Sequence, residues 1–319
     1  MIKNLPSEKE IISKWKVGDL DNTIVSISCL TYNHEKYIED ALKGFLIQET
    51  TYAYQICILD DASTDGNVEI IKEYEKKYPK LFSCFFLKEN TWGKPNRREI
   101  IKPYYDARNK GKYIALCEGD DYWIDPYKLQ KQVDFMEENK EYSMCYHKII
   151  IPNKSLNNKI FYLQNNLSTT FMPTCSILFK NNKILINKLI YHSEKVLSGD
   201  QFLFYLCSFI GEVKFMDFIG GVYNQNEHGI SSKIGVRSMQ WDLNRVYMFA
   251  KLIKLAPIHK KKQVLMDAQS SLFNALEHSI SKPFLQFKLD AIRILLLGFI
   301  FFPKYSLFRI KTYIIRKKV

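Results

Sequence analysis

Glu118, Gly119, Asp120 and Asp121 set three carboxylates within four residues, directly after the apolar run Tyr113 to Leu116. A run of that length reads as a strand, so the acids stand at a strand end. Carboxylate oxygens are the donors that Mg²⁺ and Mn²⁺ favour, and these ions keep positions open for a substrate's phosphates. The cluster thus has the layout of a metal–diphosphate site; taken alone, it also has that of a solvated acidic turn. Two other polar turns follow strand-like runs, Thr31-Tyr32-Asn33 after Thr23 to Leu30 and Asp60-Asp61 after Tyr54 to Leu59. Further on, Asp200 opens an apolar helical segment, the position of a helix cap as much as of a general base.

The elements that must carry these turns can be read from periodicity. Tyr37 to Gln48 places Ile38, Ala41, Leu42 and Phe45 on one helical face; Asn67 to Tyr78 reads as a second helix stopped by Pro79; Phe82 to Leu87 reads as a third strand. The resulting βαβαβ series predicts an α/β fold with a mainly parallel central sheet flanked by helices, whose ligands gather beyond the carboxyl ends of the strands. All three polar turns fall on that edge. No glycine occurs in Leu30-Thr31-Tyr32-Asn33-His34-Glu35 and no GxxxxGK[ST] string exists, so neither a dinucleotide fingerprint nor a P-loop is present. A bound nucleotide would have to be held by side chains and a metal.

At 319 residues and 46% hydrophobic content the chain can bury one large core, or one core with a smaller appended domain. The seven cysteines are scattered, mostly inside apolar runs and without a CxxC pair, as expected of reduced buried thiols in a cytosolic protein. Residues 1–22 are charged throughout and show no export signal. The net charge of +12 is concentrated at the other end: Lys282 to Val319 carries nine Lys/Arg against the single acid Asp290. Among these charges lies the apolar run Ile294 to Phe302, closed by Pro303. Nine residues cannot span a bilayer, which takes roughly 20. A short apolar block among basic residues fits a helix lying on an anionic membrane surface, or a packing helix with a basic face. No nucleic-acid-binding motif accompanies the charge.

Val25 to His34, Leu59 to Asp65 and Gly111 to Trp123 together resemble, in order and spacing, the signatures of family 2 glycosyltransferases with the GT-A fold, over residues 22–232. The resemblance implies an N-terminal arm (1–22), a glycosyltransferase domain (23–234) and a helical, basic C-terminal region (235–319). It implies inverting, Mn²⁺- or Mg²⁺-dependent transfer of a sugar from a nucleoside-diphosphate sugar, commonly UDP-linked. The acceptor would be a glycan or lipid-linked glycan hydroxyl in cell-surface polysaccharide synthesis, met at the inner membrane face.

The family roles map onto single residues. Thr31, Tyr32 and Asn33 border the base and ribose; Asp61, with Asp60 beside it, accepts the ring N–H of uracil; Asp65 caps the following helix. Glu118-Gly119-Asp120 takes the place of the DxD motif with Glu in the first position, so Asp120 is the expected metal ligand and Glu118 the ribose or metal-water contact. Asp121 lies alongside, and Tyr122 and Trp123 are expected to wall the sugar pocket. Asp200 matches the general base, and His228 a metal or phosphate ligand. Asn224 stands where many relatives carry Arg. Two other classes of function share parts of this pattern, a nucleotidyltransferase and a non-catalytic membrane-attached sugar-nucleotide-binding protein.

Overall fold

The computed structural model describes residues 5–94, 96–152, 159–161, 173–182, 184–185, 196, 199–224 and 239–280. His228 and the basic tail lie outside the described residues. Two compact units divide the chain, one of Met1–Ile190 with Ile210–Asn226, the other of Tyr191–Phe209 with Glu227–Val319. Tyr191–Phe209, which carries Asp200, belongs to the second unit.

The first unit opens with α1 (Glu8–Ser13), capped reciprocally by Ser7 and Glu10. Then follow β1 (Val25–Thr31), α2 (Ile38–Leu46), β2 (Tyr54–Asp60), α3 (Asn67–Lys77), β3 (Phe82–Phe86), α4 (Arg97–Ile100), α5 (Lys102–Arg108) and β4 (Tyr113–Leu116). The acid loop leads into β5 (Tyr122–Trp123), α6 (Lys128–Glu138), β6 (Tyr142–Ile151), β7 (Lys159–Phe161), β8 (Ile177–Lys180) and β9 (Glu212–Val222). Among the described residues, nine strands form one sheet in the order β3-β2-β1-β4-β8-β6-β9-β5, with β7 on β6. The expected parallel arrangement occupies β3-β2-β1-β4. Beyond β4 the sheet is mixed, β8 running antiparallel to both β4 and β6 while β9 runs parallel to β6.

β1 is buried along nearly its whole length because it is covered on both faces. Ile27 and Cys29 join Ile38, Leu42 and Phe45 of α2 in the main core. On the opposite face Cys57 and Leu59 of β2 pack with Ile101 and Tyr104. α5 supplies that second cover. Its apolar periodicity is weak, and the one sequence signal for it is Pro103 in its first turn, where a missing N–H costs nothing. The small polar residues of β1 serve this packing, since Ser28 Oγ lies 2.6 Å from Tyr104 Oη and Ser26 Oγ accepts from Gln55 Nε2 at 2.8 Å. No cysteine forms a disulfide; six are buried and Cys84 is half-buried.

In the second unit α7 (Gly199–Ile210) precedes α8 (Met239–Leu255) and α9 (Ile258–Ile280). The break between the last two falls at Pro257, which cannot continue a helix. Tyr205 anchors α7 there by donating to Asp267 Oδ2 at 2.5 Å and by an edge-on contact with Phe249. No described helix is long and apolar enough to cross a membrane.

Candidate active site

The carboxyl ends of β1, β2 and β4 are adjacent by register, with Thr31 opposite Asp60 and Ser28 opposite Leu116. Hydrogen bonding continues past the strand ends: Asp61 N–H donates to the Thr31 carbonyl at 3.0 Å, and Gly119 N–H to that of Leu30 at 2.9 Å. The three polar turns predicted from sequence are thereby brought to one edge.

The first two turns lock each other. Asn33, at φ 55°, donates its N–H to Ser63 Oγ (2.8 Å), and its Oδ1 accepts the Thr64 N–H (2.7 Å). Asn tolerates this left-handed conformation better than most residues, whereas Ala62 at φ 64° is a strained position of the kind that clusters at functional sites. Asp65 accepts the Asn67 N–H at the start of α3 and also the Glu35 N–H, the structural role expected of it.

Asp60 and Asp61 divide the work between them. Asp60 is buried, and its two oxygens accept from Ser63 N–H (2.8 Å), Ser63 Oγ (2.5 Å) and Asn67 Nδ2 (2.7 Å). These bonds shape the turn that carries Asp61. Asp61 accepts at Oδ1 from the N–H and hydroxyl of Thr91 and at Oδ2 from Arg97 Nη1, 2.9 Å away. Thr31 is buried, leaving Tyr32, 42% exposed, and Asn33 as the accessible side chains of the first turn.

Glu118, Asp120 and Asp121 bring one carboxylate oxygen each to within 4.8 Å of one another. Gly119 permits the approach: a Cβ there would stand 2.5 Å from Thr31 Oγ1 and 3.1 Å from His34 Nδ1. Asp121 is 1% exposed. Its Oδ1 accepts the Asn224 N–H at 2.9 Å, and its Oδ2 is buried without a nitrogen or oxygen donor, only the weak Cys175 thiol lying beside it. Burial, reinforced by the charges of Asp120 and Glu118, raises the Asp121 carboxyl well above the ordinary carboxylate range. Asp120 is partly accessible; its carbonyl accepts from Asn224 Nδ2 at 2.6 Å, and its Oδ2 lies 3.7 Å from His34 Nε2. An all-oxygen donor set with an unsatisfied buried carboxylate oxygen fits a hard divalent cation.

Trp123 does not wall a pocket. It is 1% exposed, donates Nε1–H to the Cys175 carbonyl at 2.8 Å and packs edge-on against Phe45. The ammonium of Lys128, itself buried, lies 3.8 Å from the centre of its ring, and burial pulls that lysine's pKa down to about 8. The expectation from the motif is thus corrected: the indole belongs to the core beneath the acid loop. Trp123→Ala is expected to destabilise the protein by about 3–5 kcal/mol in urea unfolding. A pocket wall would instead change donor KM at unchanged stability. Tyr122, half-buried, stays at the surface.

His34, Thr91 and Arg97 also contribute to this edge, and local pattern gave none of them a role. His34 stands inside the first motif, and Arg97 with Thr91 reaches Asp61 from the segment after β3. Arg97 also lies 5.9 Å from the exposed ring of Trp92. Asn224 arrives at the end of β9, whose Val222 and Gly221 pair with Tyr122 and Trp123. In the second unit Asp200 occupies the first turn of α7, exposed, at the helix end whose dipole favours a carboxylate.

Comparison with known proteins agrees with this architecture. The chain resembles S. aureus TarS 1-349, solved in complex with UDP-GlcNAc, at TM-score 0.65 and 17% identity over 86% of this chain and 81% of that one. It resembles the mannosyltransferase PcManGT of Pyrobaculum calidifontis, solved with GDP-Man and Mn²⁺, at TM-score 0.53 and 17% identity over 94% and 88%. These likenesses establish the GT-A fold. In sequence, an uncharacterised protein of Mycobacterium tuberculosis is 29% identical over 77% of this chain and 73% of its own length. The putative teichuronic acid biosynthesis glycosyltransferase TuaG of Bacillus subtilis is 34% identical over 36% and 42%. The model of glycosyl transferase family 2 matches residues 26–204, the span that holds all three turns and Asp200, and the chain belongs to that family.

Proposed function

We propose that this glycosyltransferase moves a sugar from a UDP-linked donor to a hydroxyl of a glycan or lipid-linked glycan during surface polysaccharide synthesis, with inversion and with Mn²⁺ or Mg²⁺ bound. The carrying observation is the acid cluster with its unsatisfied Asp121 oxygen, on the same sheet edge as Asp61 and Tyr32.

Asp120 is the direct metal ligand in this reading, Asp121 shares the ion's field from behind, and Glu118 faces the ribose or a metal-bound water. His228, by its motif, binds the metal or a phosphate. The bound cation would neutralise charge on the departing diphosphate. Tyr32 offers its exposed ring to the pyrimidine, and Asp61, oriented by Thr91 and Arg97, presents its remaining lone pair to the uracil N–H. Asp200 takes the proton of the acceptor hydroxyl as the new bond to the anomeric carbon forms and the bond to the diphosphate oxygen breaks. The domain plan that goes with this reading is an N-terminal arm, a catalytic domain to residue 234 and a C-terminal helical region.

A thermal-shift screen of UDP-, GDP- and dTDP-sugars, with and without Mn²⁺, tests the donor. A UDP-sugar with Mn²⁺ is expected to stabilise the fold, by about 2.7 kcal/mol at one hundred times its Kd. Preferential stabilisation by GDP-sugars would overturn the uracil assignment, and pyrophosphate release from a nucleoside triphosphate would favour a nucleotidyltransferase.

The charge of the tail supports attachment to the inner face of an anionic membrane, with nine Lys/Arg in Lys282 to Val319. Deleting Pro283 to Val319 is expected to release the protein from phosphatidylglycerol vesicles in a sedimentation assay. Unchanged pelleting would refute it.

A further inference from the structure

His34 is not used by the scheme above, yet it faces the centre of the site. Its carbonyl accepts the N–H groups of Tyr37 and Ile38, both at 2.8 Å, which fixes its backbone at the entrance to α2. Its ring meets Tyr37 edge-on and lies over Gly119, where any Cβ would crowd Nδ1. Nε2 is 3.7 Å from Asp120 Oδ2, too long for a hydrogen bond, and Nδ1 is buried without a partner. No hydrogen bond from the ring accounts for that placement.

Two donor atoms on one six-coordinate ion lie about 3 Å apart when adjacent and about 4.3 Å apart when opposite, from metal–ligand distances of about 2.1 Å. A separation of 3.7 Å falls between these, within a small side-chain shift of either. We infer that His34 is a nitrogen ligand of the same divalent cation that Asp120 holds, and that it biases the site toward Mn²⁺ and Co²⁺ over Mg²⁺. The inference rests on the metal-dependent reading of the acid cluster. Its physical basis is that imidazole binds later first-row ions better than Mg²⁺, whereas carboxylates alone discriminate little. The position of His34 in the first motif, 86 residues before Asp120, gives the site a donor from β1's own turn.

The test uses the full chain with Mn²⁺ and no donor sugar, read by electron spin-echo envelope modulation, which detects a directly bound ¹⁴N. With His228 replaced by Ala, so that no nitrogen can come from that residue, the chain is expected to show the histidine nitrogen coupling while His34 is present and to lose it on His34→Ala or the near-isosteric His34→Gln. Titration calorimetry should show Mn²⁺ affinity falling about tenfold or more in both His34 variants, with Mg²⁺ affinity changed less than threefold. Mn²⁺ binding to wild type without nitrogen coupling, or a coupling that persists when His34→Gln is combined with His228→Ala, would overturn the inference while leaving the metal site intact. Failure of wild type to bind Mn²⁺ at all would overturn the metal-dependent reading itself.

Discussion

Asp120→Asn is expected to abolish measurable sugar transfer, with kcat at least a thousandfold below wild type, and to weaken Mn²⁺ binding by more than tenfold. A thousandfold loss corresponds to about 4 kcal/mol of transition-state stabilisation, the scale of removing the main electrostatic partner of a leaving diphosphate. Asp120 is singled out over its neighbours by its surroundings. Asp121 is buried and committed through Oδ1 to Asn224, whereas Asp120 combines partial access with a fixed backbone, its carbonyl held by Asn224 Nδ2. The Asn variant keeps the shape and that backbone contact, so its unfolding midpoint should stay close to wild type. Calorimetry with Mn²⁺ and a transfer assay at saturating donor check the two losses together. Retention of Mn²⁺ affinity and turnover would remove Asp120 from the metal.

The second large effect is expected at Asp200. Asp200→Asn should lower kcat by about 10²–10⁴ while leaving donor-induced thermal stabilisation unchanged, the pattern of a lost general base. Its place supports this: desolvation raises the Asp200 carboxyl above its ordinary value, as suits a base, against the backbone N–H groups of the first turn of α7, and the helix is held by the buried side chains of Phe202, Leu203 and Tyr205. A simple helix cap would give a different result, since its removal typically costs about 1 kcal/mol of stability and leaves kcat alone. The kcat of the variant, measured beside its unfolding midpoint, separates the two roles. Turnover within threefold of wild type would exclude Asp200 as the base.

Much of the architecture could be read from local pattern. Helices α2 and α3, strands β1 to β4, and the helix break at Pro257 follow from periodicity and from proline, which act within a few residues and need no distant partner. α5 escaped because it is short and covers the sheet with Tyr104 and Ile101 more than with a regular apolar stripe. The mixed half of the sheet escaped because the direction of β8 and β9 is set by which edges remain to be paired, a property of the whole sheet.

The sequence by itself determined that polar, acid-bearing turns would gather at one sheet edge, because residue type fixes strand and turn propensity locally. What only the tertiary structure decided is which partners each of those acids meets. Asp60 and Asp61 are adjacent and chemically alike, yet Asp60 turns to Ser63 and Asn67 while Asp61 turns to Thr91 and Arg97. Trp123, next but one to Asp121, is drawn into the core by Cys175, Phe45 and Lys128. Asn224 reaches Asp121 across 103 residues. A carboxylate's availability depends on burial and on competition among donors, and those donors come from segments that meet only when the chain has folded.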